Sequence, residues 1–235
     1  MIALVNAVAM RMRRAPTPYL GEKMARLPLR SRLCFVSDGL PAAGHSAHET
    51  IQAALAGGVG MIQYCAQGKS TREMVGECAE WVWACRRLGV PVLVRDRADV
   101  ALAALADGEH LGPDDMPIAI ARRLLGPGAI IGASCRDLSD AREAERQGAS
   151  YAALGPLFVG DGPAERDPAL AALRAAARTL TIPLCAIGAI TADNARLLAP
   201  VPLSLVLVDA AIASADDPEA ATRALVEVLA RNREN

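Results

Sequence analysis

The stretch VPVLVRDRADVALAALADGEHLGPDDMPIAIARRLLGPGAIIGAS, residues 90–134, decides the fold. It opens on an apolar run, PVLVR (91–95), which stops at the charged triplet Arg95-Asp96-Arg97. An alanine- and leucine-rich segment with helical spacing follows over about 98–106. A second short run, GEHLG (108–112), leads through an acidic turn to another helix-like segment at 117–125. A third run, AIIGASC (129–135), ends on small and polar residues. Strands this short and this continuously apolar are buried on both faces, as in parallel sheets, and parallel neighbours need helical crossovers between them.

The same alternation extends in both directions. LCFVS (33–37) and GMIQYC (60–65) lie before it; SYAALG (150–155), IPLCAIG (182–188) and LSLVLV (203–208) lie after it. Helix-like segments fall at about 48–57, 70–88, 139–147, 168–178, 191–199 and 217–230. Ser70 with Glu73 forms a capping box, Ser139 precedes Asp140 and Glu143, Thr191 precedes Asp193 and Asn194, and Pro218 takes a first helical position. Eight strand–helix units in about 200 residues predict a single-domain α/β fold, a closed (β/α)8 TIM barrel over 32–235. A doubly wound open sheet usually carries a glycine fingerprint after its first strand, and VSDGLPAAGHS is no G-x-G-x-x-G.

Composition narrows the function. The 235 residues are 52% hydrophobic and 22% charged with a net charge of −1, which gives no electrostatic reason for nucleic acid or an anionic membrane as partner. Aromatics at 3% argue against a base-stacking surface. The six cysteines form no C-x-x-C pair and sit mostly in apolar runs, so they are expected to be reduced, structural and cytoplasmic. Residues 1–31 differ from the rest: an apolar start precedes five arginines and one lysine. That start is too short to span a bilayer, and its basic residues follow rather than precede it. We read it as a mobile basic extension, or as an overlong start with Met10, Met12 or Met24 as alternative initiators.

In a barrel of this kind the chemistry sits at the carboxyl ends of the strands. Those positions hold Ser37 and Asp38; Gln63, Tyr64 and Cys65; Arg95 and Asp96; His110, Asp114 and Asp115; Ser134, Cys135 and Arg136; Gly188 and Ala189; Asp209 and Ala210. Asp96 and Asp115 end adjacent strands and can hold Mg2+, which takes one or two carboxylates and keeps several waters. Capping of the helix near Pro117 by Asp115, with Asp96 paired to Arg97 or Arg95, is the competing reading. Gly188 can offer a backbone N–H to phosphate or serve a tight turn. His110, inside a short strand, is expected to be a satisfied core histidine. Trp81 and Trp83, two apart on one helix, predict one core and one exposed ring.

Taken together, LCFVSD, ALAGGVGMIQY, KSTREM, the whole of 90–134, GASYAALGPLF, IPLCAIGAI and DAAIASADDP resemble the thiamine phosphate synthase family from about Leu33 to Pro218. The resemblance implies a (β/α)8 barrel transferase that joins an aminopyrimidine methyl pyrophosphate to a thiazole phosphate, with Mg2+ and release of pyrophosphate. It implies phosphorylated small-molecule substrates and a homodimer. Carried over residue by residue, it assigns Gln63 to pyrophosphate, Asp96 and Asp115 to Mg2+, Ser134 to the leaving group and Gly188 to the thiazole phosphate. Several family positions differ. The second strand ends in Gln63-Tyr64-Cys65-Ala66-Gln67, without the two cations of the family pattern. Arg95 replaces an asparagine, which makes it a substitute catalytic and substrate-binding cation. The loop after the sixth strand reads Val159-Gly160-Asp161-Gly162-Pro163, with Arg166 as its nearest replacement cation. Ala210 stands where the family has serine, beside Asp209. These losses predict impaired transfer; the alternative is an inactive paralogue that binds another small molecule or regulates thiamine metabolism.

Overall fold

Eight parallel strands close into one barrel in chain order, β1 through β8 and back to β1. The structure, a computed structural model, describes residues 29–38, 40, 43–65, 67–159, 163 and 168–231. The extension expected over 1–31 lies outside the described residues up to position 28, and so does Arg166. Leu29 already packs against the barrel's interior cluster.

The strands are β1 (Leu33–Val36), β2 (Met61–Tyr64), β3 (Val92–Arg95), β4 (Gly108–Leu111), β5 (Ile130–Cys135), β6 (Tyr151–Leu157), β7 (Leu184–Gly188) and β8 (Leu205–Val208). The helices are α1 (Ala47–Ala56), α2 (Thr71–Arg86), α3 (Ala98–Ala104), α4 (Ile118–Leu125), α5 (Leu138–Arg146), α6 (Pro168–Ala177), α7 (Ala210–Ala213) and α8 (Pro218–Arg231). Every strand read from the sequence is present within two residues. The helix expected over 191–199 is reduced to a 3-10 turn, Ala195–Leu198. The four-residue α7 is an element that sequence spacing does not reveal.

Strand periodicity splits the core in two. Cys34, Met61, Leu93, Tyr151, Cys185 and Leu207 face the barrel interior, while Leu33, Phe35, Ile62 and Val94 face the helices. Gly132 of β5 is required by this interior: a Cβ there would lie 2.1 Å from the Tyr151 ring and 2.6 Å from His110 Nδ1. Helices α1 and α2 start with complete capping boxes, Ser46–Glu49 and Ser70–Glu73. Helix α5 is capped by Asp137, which accepts from the Asp140 N–H at 2.9 Å, in place of the expected Ser139. Trp81 is buried edge-on against Tyr64 with ring centroids 4.9 Å apart, while Trp83 is exposed under Arg87. On the face opposite the strand ends, Arg122 donates to the carbonyls of Gly126, Pro127, Ala129 and Gly148 and to Ser150 Oγ. It ties α4 to the entries of β5 and β6.

Candidate active site

A polar chain crosses the upper barrel interior. His110 of β4 makes a 2.8 Å hydrogen bond through Nδ1 to the Tyr151 hydroxyl and another of 2.8 Å through Nε2 to Ser134 Oγ. The ring is fully buried, which pushes its pKa down to about 4, with Arg95 nearby adding to the effect. It is therefore neutral at physiological pH, donating through one nitrogen and accepting through the other. Histidine is thus satisfied and in the core, as the sequence suggests, and it also holds the half-buried Ser134 hydroxyl in place. Tyr151 lies at the start of β6, 41 positions from His110, and no sequence signal pairs them.

Gln63 points into the same interior, 2% exposed. Its Nε2 lies 3.8 Å from Cys65 Sγ, and its Oε1 accepts no hydrogen bond. A buried amide oxygen without a partner costs on the order of 1–3 kcal/mol. That cost is relieved if a ligand donates to it.

Asp96 follows β3 with φ 50, a left-handed conformation uncommon for a residue other than glycine. Its backbone N–H donates to the His110 carbonyl at 3.0 Å, which fixes it to the end of β4. Partial burial and Asp115 raise the proton affinity of its carboxyl, and Arg95 and Arg97 only partly offset this. No described residue donates a hydrogen bond to that carboxylate. Asp115 accepts from the Gly112 N–H at 2.6 Å through one oxygen. The capping reading of Asp115 is thus replaced by a loop contact, and the Asp96–Arg97 pairing by an Arg97–Asp99 pair at 2.7 Å. Glu109, one position before His110 and in register with Val94 and Ile131, faces the helices; it is 1% exposed, with neither carboxylate oxygen hydrogen-bonded. Burial first, then Asp115 and Asp96, pushes its pKa up to about 7. The sequence reading passes over Glu109, although a charge inside the buried run GEHL is itself a signal.

This arrangement fits a divalent cation. Two carboxylates follow adjacent strands, near enough that Asp115 raises the proton affinity of Asp96, and Asp96 has no donor of its own. No three His, Cys, Asp or Glu side chains converge as a metal cage among the described residues. A cation here would be held by Asp96 and Asp115 and completed by water and substrate oxygens.

The cations at the mouth are already committed. Arg95 pairs with Asp38 at 2.8 Å, Lys69 with Glu77 at 2.5 Å, and Arg136 with Asp140 at 2.7 Å. Gln67 also donates to Asp38, at 3.0 Å. The ends of β7 and β8 are likewise occupied. A Cβ on Gly188, whose φ is +148, would lie 2.2 Å from the Leu157 backbone nitrogen and oxygen. Close approach of β6 therefore accounts for this glycine without a ligand. The next N–H, that of Ala189, donates to the Leu157 carbonyl at 2.8 Å. The Ala210 N–H, first in α7, donates to Asp209 Oδ1. All six cysteines are free, and burial raises the pKa of each, to about 12 for Cys65 and Cys135 at the strand ends. Thiol chemistry at the mouth is disfavoured accordingly.

Fold and mouth together define a class: a (β/α)8 barrel with a carboxylate pair, a histidine-held serine and an orphan glutamine gathered at the carboxyl ends of β2 to β5. The family described as thiamine monophosphate synthase matches residues 33–212, and the chain belongs to it. A thiamine-phosphate synthase of Chloroflexus aurantiacus is 41% identical over 205 residues, spanning 86% of this chain and 94% of the relative. One of Chlorobium luteolum is 40% identical over 203 residues, with the same coverage of 86% and 94%. The solved thiamine phosphate pyrophosphorylase of Pyrococcus furiosus superposes with a TM-score of 0.78 at 35% identity, over 86% of this chain and 97% of that one.

Proposed function

We propose that this protein is a thiamine phosphate synthase-type transferase, joining an aminopyrimidine methyl pyrophosphate to a thiazole phosphate with release of pyrophosphate. The observation that carries the proposal is the Asp96–Asp115 pair beside the His110-supported Ser134, in a chain of this family. Gln63 Oε1 is the buried acceptor that a substrate N–H would satisfy. Ser134, held by His110 Nε2, presents its hydroxyl to the departing pyrophosphate. Arg95 supplies the nearest positive charge, shared with Asp38. Gly188 and Arg166 keep their place as substrate-binding candidates, Gly188 through the shape of the strand end. Mg2+, held by Asp96 and Asp115, supplies neutralisation of charge on the leaving group when bound. Alignment of the two substrates and stabilisation of the leaving group make up the catalysis. A cytoplasmic location is part of this proposal. A homodimer remains our proposal for its assembly.

A second reading has its own observation. Arg95, Lys69 and Arg136 are each paired with a carboxylate, so the pyrophosphate grip is weaker than the family pattern implies. On that reading the barrel has lost transfer and binds another small molecule. Calorimetry with inorganic pyrophosphate separates the two. Micromolar, Mg2+-dependent binding that Asp96→Ala and Asp115→Ala abolish supports the transferase. Absence of binding by the folded wild-type chain refutes it.

A further inference from the structure

We infer that Lys69 is an exchangeable pyrophosphate cation, held by Glu77 and passed to the pyrophosphate of the pyrimidine substrate when that substrate binds. The inference rests on the transferase reading above and names a residue that makes up for the cations missing after β2. The chain has 23 arginines but only two lysines, Lys23 and Lys69. Lys69 lines a cavity of about 450 Å³ at the ends of β1, β2 and β8, together with Ser37, Asp38, Gln67 and Asp209. It is the one cation among the described residues of that lining. The cavity adjoins the metal end of the mouth. Strand β2 pairs with β3, Tyr64 opposite Val94, and Arg95 and Asp96 come next along β3. Gln67 and Arg95 both donate to Asp38, at 3.0 and 2.8 Å, which joins the cavity wall to the residue before Asp96.

The hold on Lys69 is one that can be released. Its ammonium donates to Glu77 Oε2 at 2.5 Å, and the Tyr64 hydroxyl donates to the same oxygen at 2.7 Å. An ammonium carries three N–H donors, so two remain for phosphate oxygens. The pair is partly exposed, with 37% of the lysine side chain and 24% of the glutamate side chain open to solvent. Such a pair contributes little to stability, and a multiply charged anion competes well with a single carboxylate.

Glu77 keeps a partner after the exchange. Tyr64 is fully buried and packed edge-on against Trp81, so its hydroxyl stays on the carboxylate when Lys69 leaves. Lysine suits this role better than arginine. It is a compact charge on a flexible stem, whereas the planar arginine fork binds a carboxylate bidentately and would stay on Glu77.

The test is calorimetric titration of the full chain with inorganic pyrophosphate in the presence of Mg2+, and separately with thiazole phosphate. Lys69→Ala is expected to weaken pyrophosphate binding about tenfold, the loss of one charge-assisted hydrogen bond. Glu77→Gln keeps an acceptor for Tyr64 but removes the competing charge, and is expected to tighten binding roughly two- to fivefold. In the Lys69→Ala background the same substitution is expected to change affinity by less than about twofold, because the glutamate acts through the lysine. A purely structural ion pair would give no tightening in either background. Wild-type binding that Asp96→Ala abolishes and Lys69→Ala leaves unchanged overturns the inference and spares the transferase reading. So does an equal gain from Glu77→Gln with and without Lys69, weaker binding in Glu77→Gln, or a Lys69→Ala loss confined to thiazole phosphate. Absence of pyrophosphate binding by the folded wild type overturns both.

Discussion

Replacing Glu109 by glutamine should stabilise the protein at alkaline pH and leave it unchanged in acid. The carboxyl is 1% exposed, has no hydrogen bond on either oxygen, and has its pKa pushed from 4.5 up to about 7 by burial and then by Asp115 and Asp96. The folded state therefore holds a proton that the unfolded chain has released. Between about pH 4.5 and pH 7 the unfolded state binds fewer protons, so this group's contribution to stability falls as pH rises, and it levels off above pH 7. The full shift corresponds to about 3.4 kcal/mol. Relaxation and water penetration around the ionised group reduce this, and we expect about 2 kcal/mol. Glutamine mimics the protonated acid in shape and charge. Thermal melts without divalent cations should show wild type and Glu109→Gln together at pH 4.5, with the variant about 4–8 °C higher at pH 8. His110, pushed down to about 4, tilts the wild-type curve the other way, because its contribution is lost as pH falls from 6.5 through 4. The difference between the two proteins, not the wild-type slope, is the quantity to read. A difference that stays flat from pH 4.5 to pH 8 refutes the reasoning.

Other expectations follow from named contacts. His110→Ala removes the partner of both Tyr151 and Ser134 and should lower stability by about 2–4 kcal/mol in denaturant titration, since it leaves a cavity and unpaired hydroxyls. Arg122→Ala strips five hydrogen bonds from the face opposite the site; we expect a loss of about 2–3 kcal/mol with pyrophosphate affinity unchanged by calorimetry. Asp38→Asn frees Arg95 and should tighten Mg2+–pyrophosphate binding by roughly two- to fivefold, the worth of a partly exposed ion pair. Thiol labelling of the native chain at pH 7.5 should be slow for the six cysteines, and rapid for all of them in denaturant.

The sequence reading succeeded where local pattern and physics coincide. The strands are apolar runs with polar ends, and each appears almost where it is read. Trp81 and Trp83 divide as helical spacing requires. It failed where the deciding partner is remote or the element is short. Thr191 promises a helix, but its hydroxyl and Asn194 bond each other's backbone and the chain makes only a 3-10 turn. Helix α7 has four residues, AAIA, too few to show a period. At the site, the end positions Gln63, Asp96, Asp115 and Ser134 follow from strand registry. The Arg95–Asp38 pair spans 57 positions, and the contact of Gly188 with Leu157 joins β7 to β6. Neither could be read without the closed barrel.

The central claim is transfer itself. Purified protein incubated with aminopyrimidine methyl pyrophosphate, thiazole phosphate and Mg2+ would be assayed for thiamine phosphate by oxidation to fluorescent thiochrome. The account predicts Mg2+-dependent product that falls sharply in Asp96→Ala and in Ser134→Ala. No product from wild type at high enzyme concentration, with the fold verified by circular dichroism, would contradict it.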